Sequence, residues 1–102
     1  MIDLSDLIAR LEAATEGSRE LDSEIADIVG YRHPNGLMLW PRYTTSLDAK
    51  LPSENIVSCM WNSENWSALH DFGDDRPLVE GIGKTEALAR RIAALKAREP
   101  HP

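Results

Sequence analysis

The chain predicts an α+β fold: a small antiparallel sheet of two to four strands, packed with N-terminal helices and a C-terminal helix as an α-β-α sandwich. Three observations predict it. Apolar residues recur at spacings of three and four at both ends of the sequence. Between those ends, two runs rich in β-branched and aromatic residues flank a polar turn. All six aromatic residues, Tyr31, Trp40, Tyr43, Trp61, Trp66 and Phe72, lie in that middle. A small antiparallel sheet buries one face under helices, and terminal helices around a hairpin supply that cover.

The elements follow in order. Leu4, Leu7, Ile8, Leu11 and Thr15 form one stripe, with Asp6, Arg10 and Glu12 on the other side. Asp3 is the N-cap of this helix and Gly17 stops it. Ser18 then caps a second helix with Leu21, Ile25, Ile28 and Val29 on its apolar stripe and Gly30 as its C-terminal glycine. Glu20, Asp22 and Glu24 near its start suit the helix dipole. The segment 37–51 reads as strand or helix. His33-Pro34-Asn35-Gly36 is a turn, Leu37 to Trp40 suits a short strand, and Ser46 suits the cap of a brief helix from Leu47 to Leu51 that Pro52 ends. Ile56 to Trp61 and Trp66 to Phe72 pair as a hairpin around Asn62-Ser63-Glu64-Asn65. Gly73 to Pro77 is an exposed turn, and Leu78 to Ile82 is a third strand. Thr85 caps a last helix with Leu88, Ile92 and Leu95 on its buried stripe, and Pro100 ends it. One domain therefore spans residues 1–99, with a frayed tail at 100–102.

Composition limits the function. The chain has 102 residues, one cysteine and a formal net charge of -6. That is one domain with one modest core. No stretch approaches the roughly 20 apolar residues of a membrane span. No secretory signal is visible at the start, so the expected compartment is the cytoplasm. Cys59 alone makes neither an intramolecular disulfide nor a multi-cysteine zinc site. Charge is uneven: residues 1–30 balance to -6 and residues 81–102 to +3. An acidic chain is a poor non-specific binder of nucleic acid, and the asymmetry suggests head-to-tail contact between opposite ends.

Three blocks of sequence resemble one family. Asp6 to Ala14 with Gly17 to Asp22, then Tyr43 to Ala49, then Glu80 to Ala89 running into Ala94-Leu95-Lys96-Ala97-Arg98 resemble the phage ABA sandwich domain family, in the family's order and over about half of the chain. The resemblance implies a helix–sheet–helix layering and an origin in phages and prophages. It implies no assigned activity and no catalytic residues. The chain departs from the pattern at Tyr31 to Tyr43, which is short, and at Pro52, which cuts a segment that usually continues as helix.

Several motifs invite chemistry. Gly83-Lys84-Thr85 looks like the end of a phosphate-binding loop, but the glycine required five positions earlier is Leu78, and only 17 residues follow Thr85. The dinucleotide fingerprint fails at Glu86. The segment reads as a tight turn with a threonine cap. Lys84, Arg90 and Arg91 near the start of the last helix are the candidate anion or nucleic-acid contacts, on the analogy of α-β-β-β-α RNA-binding domains; Glu80 and Glu86 oppose them. The alternative for Arg91 and Arg98 is a solvated stripe. Cys59, His33, His70 and His101 lack the spacing of a zinc site. A Cys59–His70 dyad across the hairpin is conceivable, although a turn centred on Ser63-Glu64 puts Cys59 opposite Asp71 or Phe72. Cys59 otherwise reads as a small core residue. The aromatic middle carries the main expectation. Trp40, Tyr43, Trp61 and Trp66 either close the core or leave an exposed patch for a protein partner. The sequence thus predicts a non-enzymatic protein-interaction module, self-associating or binding another protein. It predicts no cofactor and no metal. The alternative is nucleic-acid binding through the last helix.

Overall fold

The computed structural model describes residues 3–31, 40–52, 54–73 and 75–98. The turn at His33 to Gly36, the strand expected from Leu37, residues Asp74 and His101, and the tail at 100–102 lie outside the described residues. The predicted α+β fold is present. Helix α1 (Leu4–Ala13) and helix α2 (Arg19–Val29) precede strands β1 (Ile56–Trp61), β2 (Trp66–His70) and β3 (Val79–Gly83), and helix α3 (Glu86–Lys96) closes the chain. The strands form one antiparallel sheet in the order β1-β2-β3. Among the described residues no helix is long and apolar enough to cross a membrane.

The helix starts form as their local sequence dictates. The Asp3 carboxylate accepts from the Ser5 N–H at 3.2 Å, the Ser18 hydroxyl from the Leu21 N–H at 3.1 Å, and the Thr85 hydroxyl from the Leu88 N–H at 3.2 Å. Each satisfies one of the backbone donors a helix start leaves open. Gly30 ends α2 in the left-handed region, at φ 73°, where a side chain would be strained. The hairpin turn is held by Asn62, whose Oδ1 accepts from the N–H groups of Glu64 and Asn65.

Helix α3 is the central layer. It lies across all three strands, and α1 packs on it and reaches β3, while α2 packs on α1. The spatial order is therefore sheet, α3, α1. Small residues let α3 sit directly on the sheet. A Cβ added at Gly81 would stand 2.2 Å from the Ala93 nitrogen, and one at Gly83 would stand 2.8 Å from the Ala89 nitrogen. Ala68 of β2 meets the same two alanines. On its other side α3 presents Leu88, Ile92 and Leu95 to Leu7, Leu11 and Ile25.

Arg91 corrects the reading of α3 as a helix with a basic, solvated stripe. It is fully buried. Its Nε donates to the Tyr43 carbonyl at 2.9 Å, and one terminal nitrogen donates to the carbonyls of Ser46 at 2.6 Å and Leu47 at 3.0 Å. The other terminal nitrogen pairs with Glu54 Oε2 at 2.6 Å, and that carboxylate is itself buried. Glu54 Oε1 accepts from the Leu51 N–H at 3.2 Å. Burial lowers the guanidinium's hold on its proton and the neighbouring Glu54 carboxylate strengthens it, and an arginine remains charged through such shifts.

This contact also explains why the brief helix expected from Leu47 to Leu51 does not form. A helix there would need the Ser46 and Leu47 carbonyls for the N–H groups four residues on. Arg91 occupies both. The segment 43–48 runs in turns instead, with the Ser46 hydroxyl accepting from the Asp48 N–H. On its far side the same segment is tied to α2. The buried Asp22 carboxylate accepts from the Thr44 N–H at 2.8 Å and the Thr44 hydroxyl at 2.6 Å, and Arg19 pairs with its other oxygen. Gly17 leaves room for this segment, because a Cβ there would stand 2.2 Å from the Thr44 carbonyl oxygen.

Candidate functional site

The four aromatics singled out by the sequence do not form one surface. Tyr43 is 2% exposed and belongs to the helical core, where burial pushes its phenol up. Trp40 packs against the same core and lies under the Arg19 guanidinium. Trp66 packs on the sheet side of α3. Trp61 faces Trp66 across the hairpin, with ring centroids 5.8 Å apart, and is half exposed at the end of the sheet beyond α3.

The larger exposed apolar surface is aliphatic, and strand alternation places it. Ile56, Cys59, Trp66, Ala68, Gly81 and Gly83 face α3. Their neighbours along the strands therefore face away. Register sets Met60, Ser67 and Ile82 in one row of that opposite face and Ser58, Leu69 and Glu80 in the next. A bulge falls between Ile56 and Ser58. Ile56 and Cys59 both meet α3 across it, so Val57 and Ser58 share the opposite face. No described helix covers this face: Met60 is 64% exposed, Val57 53%, Leu78 48% and Ile82 40%. Its one described charge is Glu80, which accepts from the Ser67 hydroxyl at 2.6 Å.

The aromatic residues of the sequence do not point to this face. The signal was present in Gly81 and Gly83. Two glycines on one side of a strand mark the side where a helix approaches closely, and Leu78, Glu80 and Ile82 then belong to the other.

The three candidate cations do not assemble either. Lys84 is exposed and makes no ion pair among the described residues. Arg90 pairs with Glu86 at 2.8 Å, and Arg91 is enclosed as described. Lys96 pairs with Glu12 of α1 at 3.1 Å. The positive balance of the last helix is thus largely met inside the fold, by acids of the same chain. Gly83-Lys84-Thr85 is the end of β3 and the cap of α3, as the tight-turn reading expects.

Cys59 and His70 sit on separate rows. Cys59 pairs with Ala68, which corrects the register that set it opposite Asp71 or Phe72, and His70 pairs with Ile56. Burial raises the Cys59 thiol's pKa, away from a reactive thiolate. Among the described residues no three His, Cys, Asp or Glu side chains group as metal ligands.

His70 is 4% exposed, and its Nδ1 accepts from the Asn55 N–H at 3.2 Å. Burial holds its pKa below the ordinary 6.5. The unfolded chain therefore takes up this proton first as pH falls. The stability carried by the neutral ring is complete above the unfolded value, and acid removes it progressively as pH falls through that value toward the folded one. Thermal melts from about pH 7 to about pH 5 will show Tm falling with pH, and His70→Asn will flatten that part of the profile. An unchanged slope in the variant contradicts the assignment.

Comparison with known proteins returns no family model, no curated protein and no solved structure that matches the chain.

Proposed function

We propose that the chain is a non-enzymatic protein-interaction module that pairs with a second copy of itself through the open face of its sheet. One observation carries the reading: an apolar sheet face with Met60, Val57, Leu78 and Ile82 exposed and no described helix over it. Contiguous exposed apolar surface of this kind marks an interaction site more often than it stays wet. The occupant follows from charge. Two chains of net charge -6 repel, yet this face carries only Glu80, held by Ser67. Two copies can therefore stack sheet on sheet about a twofold axis with little like-charge contact.

Size sets the strength. Three strands about 4.8 Å apart, five residues long at about 3.3 Å each, present a flat footprint of roughly 14 by 17 Å. Even with Leu78 and Val57 at its rim, a footprint of that size falls below the range for stable specific interfaces, so the pairing is weak and concentration-dependent. The resemblance to the phage ABA sandwich family adds a proposed origin, a phage or prophage accessory protein, supported by the three sequence blocks.

Light scattering behind a sizing column tests the pairing. The wild-type chain will rise above the mass of one chain as concentration increases. Met60→Lys with Ile82→Lys will hold it at one-chain mass with an unchanged circular dichroism spectrum. A wild-type chain at one-chain mass throughout overturns the reading.

A further inference from the structure

We propose that the groove beside His70 binds a small organic anion, whose carboxylate or phosphate group is held by His70 and Arg98 and whose carbon part lies on Phe72. The groove has a volume of about 260 Å³ and runs between the His70 end of the sheet and the last turn of α3. A water occupies roughly 30 Å³ in the liquid, so the space exceeds what one ordered water needs. It is slightly smaller than the roughly 300 Å³ at which sites for larger ligands begin.

His70 forms a wall of this groove and is itself almost wholly buried. The Asn55 N–H can only donate, so Nδ1 is bare and the neutral ring carries its proton on Nε2. That Nε2–H has no hydrogen-bond partner among the described residues. An unpaired imidazole N–H on the wall of the groove can donate to an acceptor that enters it.

Two guanidiniums line the same space. Arg98 makes one long contact, to the Pro52 carbonyl at 3.4 Å, and lines the groove. The Arg76 guanidinium lies 3.9 Å from the centre of the Phe72 ring. That ring meets His70 edge-on, with centroids 5.1 Å apart, and gives the groove an apolar surface beside its donors. Asp71 also lines the groove, and its Oδ1 accepts from the Gly73 N–H at 2.8 Å. The carbonyl end of α3 is a second negative feature. Arg98 and the imidazole N–H are the donors offered beside them, and planar guanidinium groups match oxyanions well.

NMR signals of the His70 imidazole nitrogens and the Arg98 Nε report binding directly. The full chain is titrated separately with phenyl phosphate, benzoate and sodium chloride at matched ionic strength. The expected result is a saturable shift of both signals with a dissociation constant of roughly millimolar order for phenyl phosphate, benzoate or both, and none with chloride. Response to one probe alone identifies phosphate or carboxylate as the group recognised. Arg98→Gln, a surface change, weakens binding about tenfold through loss of a charge-assisted contact. His70→Asn keeps an acceptor for the Asn55 N–H, removes the Nε2 donor and weakens binding by about the same factor. Shifts that fail to saturate, that chloride reproduces, or that survive Arg98→Gln unchanged overturn the proposal.

Discussion

Arg91→Met will cost about 3–5 kcal/mol of stability, the largest effect expected from one substitution in this chain. The change keeps a long, flexible side chain in the space and removes the charge. It leaves the Glu54 carboxylate buried without its cation and frees the carbonyls of Tyr43, Ser46 and Leu47 from their donor. Breaking one partner of a buried pair is costly because the other charge stays desolvated. At about 4–8 °C per kcal/mol for a domain of this size, Tm falls by more than about 12 °C. The double variant Arg91→Met with Glu54→Gln recovers part of the loss, since the stranded charge is gone while the three carbonyls remain unpaired. Equal losses in the single and double variants would show that Glu54 is not the partner that matters.

Gly81→Val will cost about 3 kcal/mol or more. The glycine's φ is ordinary, so the effect is one of space. Even a Cβ at this position would stand 2.2 Å from the Ala93 nitrogen and 2.6 Å from the Ala89 oxygen, both backbone atoms of α3 that no rotamer change can move. Either α3 lifts off the sheet or the strand bends away. Both outcomes disturb every layer, because the sheet and α1 each pack on α3. Ile82→Val, one residue on and facing the open side, is the control and falls within about 0.5 kcal/mol of wild type. Denaturant midpoints for the two variants separate the close approach of α3 from a general sensitivity of β3.

These two residues also show where the sequence was legible. The caps at Asp3, Ser18 and Thr85 and the glycine at 30 act within one turn of helix, so the local pattern reveals them. The hairpin is equally local, since Asn62 and Asn65 close it within four residues. The segment 43–48 is different. Its path is imposed by Arg91, more than thirty residues away, and no local preference for turn, strand or helix records that. Arginine is rarely fully buried, which favoured a solvated reading of Arg91. Its position argued otherwise, because Leu88, Arg91, Ile92 and Leu95 share one helical face. A charge on an apolar stripe calls for a buried partner, and Glu54 supplies it. Gly83 reads locally as a turn residue and Gly81 as one more strand position for the same reason: their role depends on Ala89 and Ala93 across a tertiary contact. The open face was legible only after that contact placed α3.

The pairing of open faces is tested most directly by isotope-filtered NMR on an equal mixture of labelled and unlabelled chains. Such spectra record only contacts between different copies. The face-to-face arrangement predicts intermolecular contacts among the methyl groups of Met60, Leu69 and Ile82, and none from Leu7, Leu11 or Ile92 in the helical core. Intermolecular contacts confined to α1, α2 or Trp61, or none at the highest attainable concentration, would contradict it.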